Sequence, residues 1–71
     1  MKDKATELKE TREAARVTQA EVAAHLGISQ SRLSLIEAGK RPITPEQFHN
    51  AILFIVEQEK ARAARFAEVV G

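Results

Sequence analysis

The sequence predicts an all-α fold: a compact domain of four to five helices, the last of them long. Three observations carry this. Helix caps and stops recur along the chain, at Thr18, Gly27, Ser29, Gly39 and Thr44. No segment alternates apolar and polar residues over the length a half-buried strand needs. After Pro45, neither Gly nor Pro interrupts the chain until Gly71.

The first helix is expected from about Asp3 to Arg16, a stretch rich in Ala, Glu, Lys, Leu and Arg, all good helix formers. Leu8 and Ala15 lie seven residues apart, with Arg12 between them on the same face. Thr18-Gln19-Ala20-Glu21 is a capping box. Thr18 can accept from the Glu21 amide, and Glu21 can reach back to the Thr18 amide. The short helix it opens should bury Val22, Ala23 and Leu26 and end at Gly27, which tolerates the left-handed exit a tight turn needs. Ser29 caps a third helix, expected to run to about Ala38 and stop at Gly39. Leu33 and Ile36 mark its inner face; Ser31, Ser34, Leu35 and Ala38 point the other way. Thr44-Pro45-Glu46-Gln47 is a second capping box, with Pro at the first helical position. One helix could then run from Pro45 to Val70, nearly 40 Å at about 1.5 Å per residue. A break near residues 57–60 is an alternative the sequence leaves open.

Composition bounds the chemistry. The 71 residues contain no cysteine, so disulfides are excluded, and His25 and His49 alone do not make a zinc site. No cofactor or metal is expected. No apolar run approaches the ~18 residues of a membrane span, and no apolar stretch follows the Lys-rich start. One domain spanning residues 1–71, without membrane association and in the cytoplasm, is the expectation. Hydrophobic residues make up 44% and charged residues 30%, which suits a globular chain rather than a disordered one. A chain this short buries only about 60% of the surface its unfolded form exposes, so self-association is the available route to added stability. No nucleophile motif, phosphate-binding glycine loop or paired catalytic acids are visible, and no enzymatic activity is expected. The net charge of +1 implies little by itself. Its distribution says more: residues 8–41 carry six Lys/Arg against four Glu, and residues 42–71 carry three against four.

Two short capped helices joined through a glycine, over residues 18–38, have the spacing of a helix-turn-helix. In that motif the first helix braces and the second enters the DNA major groove. Ala23, four residues before Gly27, allows close approach of the two backbones, and Ile28 in the turn would plug the core between them. The segments Thr18-Gln19-Ala20-Glu21-Val22-Ala23, Gly27-Ile28-Ser29-Gln30-Ser31, Leu33-Ser34 and Ile36-Glu37-Ala38-Gly39-Lys40 resemble the lambda repressor/Cro-like (XRE-type) helix-turn-helix family. The resemblance covers about residues 8–55. It implies a bacterial or phage transcriptional regulator that binds a palindromic operator as a homodimer. The long final helix departs from the family pattern of one or two short ones.

On this resemblance, Gln30, Ser31, Arg32, Ser34 and Leu35 fall at or near base-contacting positions. Gln can pair with adenine, Arg with guanine, and an apolar side chain can touch a thymine methyl. The bland alternative is a solvated polar face, and Leu35 equally reads as a core-edge or simply exposed residue. Thr18 and Gln19 stand at a helix N-terminus suited to a phosphate, and the resemblance implies that Gln19 helps anchor the DNA backbone and brace the recognition helix; the alternative is a cap with no ligand. Lys40 and Arg41 are the other expected phosphate contacts. The resemblance also implies a partly buried structural ion pair between Arg12 and Glu37. His25 is expected to face solvent, and His49 to be exposed or near an interface. Phe48, Ile52, Ile55 and Val56 should close the core. Leu53, Phe54, Phe66, Val69 and Val70 are the expected dimer interface, because a helix apolar on more than one side is buried by something. The stretch from Glu57 to Arg65 reads as a solvated face. Two alternatives share the fold: an antitoxin or restriction–modification controller, the former binding a toxin as well as DNA, and a protein-interaction module without DNA binding. RNA polymerase is a further possible partner.

Overall fold

The computed structural model describes residues 3–70, with side chains described for residues 3–65. Four helices follow one another: α1 (Lys4–Ala14), α2 (Gln19–Leu26), α3 (Gln30–Glu37) and α4 (Pro45–Val70). No strand occurs among the described residues. None of their helices is long and apolar enough to cross a membrane.

Each start is capped, α2, α3 and α4 as the sequence predicts and α1 by Asp3, which the sequence did not single out as a cap. Asp3 accepts from the Thr6 amide at 2.8 Å, a bond that holds its carboxyl below the usual range. Thr18 and Glu21 form a complete capping box, Ser29 accepts from the Arg32 amide, and Thr44 and Gln47 bond reciprocally. Helices α2 and α3 end through left-handed glycines, Gly27 at φ 72° and Gly39 at φ 76°. The amides just past them return to the helix, Ile28 N to Ala23 O at 3.0 Å and Lys40 N to Leu35 O at 2.9 Å. Helix α1 closes with the same pattern, Val17 N to Arg12 O and Arg16 N to Glu13 O, both 3.1 Å. Here the left-handed residue is Arg16, at φ 59°.

Every helix supplies at least one fully buried side chain to the core: Leu8 from α1, Val22 from α2, Leu33 and Ile36 from α3, and Ile55 from α4. Phe48, Ile52, Leu26 and Ile28 pack around them, half-buried. Helix α4 lies against α1 and α2. It is continuous, without a break at residues 57–60.

Two expectations about α4 need correction. Val56, assigned to the core, is 38% exposed, and Ala51 is fully buried instead. The helical turn of about 100° per residue explains this: Val56 lies about 100° round from Ile55, Ala51 only about 40°. The stretch from Glu57 to Arg65 is not wholly solvated. Arg62 reaches α1 and donates to Ala15 O at 3.0 Å and Arg16 O at 3.4 Å. These carbonyls lie at the negative end of α1, where a cation is favoured.

His25 is exposed, and it also stacks on Phe54, with ring centroids 4.4 Å apart and planes at 18°. Phe54 is half-buried against the core, whereas Leu53 is 47% exposed. These two expected interface residues therefore leave α4 on different sides. The side chains of Phe66, Val69 and Val70 lie outside the described residues.

Candidate nucleic-acid interface

The orientation of α3 is set from behind. Leu33 and Ile36 anchor it in the core, and Glu37, 7% exposed, turns inward with them. Arg12 meets Glu37 bidentately, Nε to Oε2 at 2.8 Å and Nη2 to Oε1 at 2.9 Å. Its remaining nitrogen, Nη1, donates to Val17 O at 3.0 Å. Gln19 Nε2 donates to Glu37 Oε1 at 2.9 Å. One carboxylate thus ties α3 to both α1 and α2. Burial pushes the Glu37 carboxyl up. The hydrogen bonds from Arg12 and Gln19, with the charges of Arg12 and Lys9, outweigh burial and hold it below the usual range. No buried side-chain N or O among the described residues lacks a partner.

The opposite side of α3 is open. Gln30, Ser31, Arg32, Ser34 and Leu35 are all exposed. Four of them, Gln30, Ser31, Ser34 and Leu35, surround a shallow depression of about 450 Å³ together with Gln19. Arg32 is not in that lining. At about 100° per residue it leaves the far flank of the helix, away from Gln30 and Ser34. Lys40 and Arg41 follow α3 in the exposed loop that Gly39 opens.

The N-terminus of α2 is partly occupied by the chain itself. Both the amide and the hydroxyl of Thr18 donate to Glu21 Oε1 at 3.0 Å, and the Glu21 amide donates back to Thr18 Oγ1 at 3.1 Å. These bonds, the Thr18 amide first, hold the Glu21 carboxyl below its usual range, helped by the charge of Arg62. A phosphate at this terminus would meet the amides of Gln19 and Ala20, which have no acceptor within the helix. Gln19 also holds Glu37, so it joins the outward depression to the inner brace.

The five expected base-contacting residues are thus all exposed on α3, with Lys40 and Arg41 in the loop after it and Gln19 beside it; the expected interface residues lie apart, on α4. Sequence reasoning missed Arg62 as a brace, although its position seven residues after Ile55 places it on the same stripe of α4.

A braced helix paired through a glycine turn with a second, outward-facing polar helix and a basic loop defines a DNA-binding helix-turn-helix unit. The chain belongs to the helix-turn-helix domain family, whose pattern matches residues 5–54. This agrees with the XRE-type resemblance in the sequence. No curated protein and no solved structure matches the chain.

Proposed function

We propose that the protein is a sequence-specific transcriptional regulator that binds a palindromic operator as a homodimer in the cytoplasm and represses by excluding RNA polymerase. The observation that carries this reading is the division of α3 into two sides. Its inner side is fixed by Leu33, Ile36 and Glu37, which leaves Gln30, Ser31, Ser34 and Leu35 as a rigidly presented outer surface. Arg32, Lys40 and Arg41 supply positive charge beside it. Phosphate contacts would carry most of the affinity, and the α3 face the choice of sequence. In a dimer, two such helices would meet half-sites about 34 Å apart, one turn of DNA.

The test is selection from a random double-stranded DNA pool, followed by gel shifts at two salt concentrations. Enrichment of an inverted repeat, with affinity falling steeply as salt rises, is the expected result. Gln30→Ala combined with Arg32→Ala should abolish the sequence preference while leaving the helical circular dichroism unchanged. A pool that shows no enrichment, or a double variant that selects the same repeat, refutes the reading.

A further inference from the structure

Helix α4 continues well past Ile55, the last buried core residue described on it. On the side away from that residue it carries Leu53 and Val56, two of the three large apolar side chains that the described residues expose. Glu57, Lys60, Ala61 and Ala64 are exposed with them. Neither Glu57 nor Lys60 has an ion-pair or hydrogen-bond partner within the described chain. Arg62 lies on the opposite side of the helix, held on α1, so this face is turned outward.

The spacing on this face is palindromic. Leu53, Glu57, Lys60 and Ala64 follow one another by four, three and four residues. At about 100° per residue they fall within a sector about 60° wide, flanked by Val56 on one side and Ala61 on the other. A two-fold axis across the helix, midway between positions 57 and 60, places the four residues of this sector against complements in a second copy. Leu53 meets Ala64 and Glu57 meets Lys60, each pair occurring twice, while the flanking Val56 and Ala61 each face their own copy along one edge. Leu53 faces a small residue, which lets two helices approach closely, and each charge faces its opposite.

We propose that this face is the self-association surface, with α4 of one copy packed antiparallel on α4 of another. The proposal rests on the dimeric reading above and gives it a surface. Leu53 stays in the interface, and Phe54, committed to His25 and the core, does not.

Sedimentation equilibrium of the full chain at low salt tests it, with circular dichroism to establish that each variant is folded. The wild type should dimerise. Glu57→Lys and Lys60→Glu should each weaken the dimer by about tenfold, because symmetry turns two attractive pairs into two repulsive ones. The double reversal, Glu57→Lys with Lys60→Glu, should return the dimer to within about threefold of wild type, since it restores both pairs. A monomeric wild type, single reversals that associate like wild type, or a double reversal no tighter than the singles would each overturn the proposal. Gel shifts on the same samples separate it from the regulator reading. A chain that fails to self-pair yet shifts its selected DNA loses this surface and keeps the DNA function. A charge-rescued dimer that shifts no DNA keeps the surface and loses that function.

Discussion

Two arginines hold the end of α1, and they do so in different surroundings. At the junction of α1, α2 and α3, Arg12 is almost entirely enclosed, bonded twice to Glu37 and once to Val17 O. Where α4 passes the last turn of α1, Arg62 bonds Ala15 O and Arg16 O from an exposed position. Arg12 makes three bonds of 2.8–3.0 Å, Arg62 two of 3.0 and 3.4 Å. The larger difference is the group left behind when the arginine is removed. Without Arg12, a carboxylate stays desolvated inside the protein; without Arg62, two neutral carbonyls are freed, that of Arg16 in an exposed residue and that of Ala15 in a buried one. The cost of breaking a contact is set by the solvation of the orphan, more than by the count of bonds.

That contrast sets the scale of expected effects. Removing one member of the enclosed pair, as in Arg12→Ala, should cost about 3–5 kcal/mol in urea unfolding, enough to unfold much of a domain this small. Replacing both by apolar residues, Arg12→Met with Glu37→Leu, should recover most of that loss. A double variant as unstable as the single one would show that the bonds themselves, and not the orphaned charge, carry the cost. The same pair predicts a pH response. The folded Glu37 carboxyl lies below its ordinary value, so its contribution is fully present above about pH 4.5 and is lost as pH falls through the folded pKa. The difference in urea midpoint between wild type and Glu37→Gln should therefore shrink below about pH 4. A difference independent of pH would contradict the assignment.

The wet clamp should matter less. Arg62→Ala should cost about 1 kcal/mol, because the freed groups are neutral carbonyls, that of exposed Arg16 open to water, and the lost charge–dipole attraction is partly screened. A cost comparable to that of Arg12→Ala would mean that the end of α1 is dry and would erase the contrast. Smallest, and opposite in sign, is Arg16→Gly. Arg16 holds the left-handed position that Gly27 and Gly39 occupy in the other two exits, so glycine should raise stability by up to about 1 kcal/mol, net of its greater freedom when unfolded. Scanning calorimetry would read either sign.

The legible parts of the sequence are the local ones. Thr18 with Glu21, Ser29, Thr44 with Gln47, Gly27 and Gly39 each act within four residues of themselves, and each does what its chemistry announces. The Arg12–Glu37 pair spans 25 residues and was visible through the family resemblance, not through spacing. Arg62 spans 47 residues to Ala15; its place on the stripe of Ile55 marks its side of α4 but not the carbonyls it meets. Arg16 was illegible as a left-handed residue because nothing in an arginine side chain favours that conformation. Val56 was misplaced by a single step in register, since an apolar residue next to Ile55 looks like core until the turn of the helix is counted.

The three bonds to the Glu37 carboxylate come from Arg12 and Gln19, and none from Gln30, Ser31, Ser34 or Leu35. The scaffold and the reading surface of α3 are thereby separable under mutation. Those four positions can change identity without disturbing what orients the helix, so a lineage could drift from one target sequence to another through a series of folded intermediates. Gln19 belongs to both sets, lining the outer depression while bracing the inner carboxylate. It is the position where a change of target would also disturb the scaffold, and so the one where such drift would be slowest.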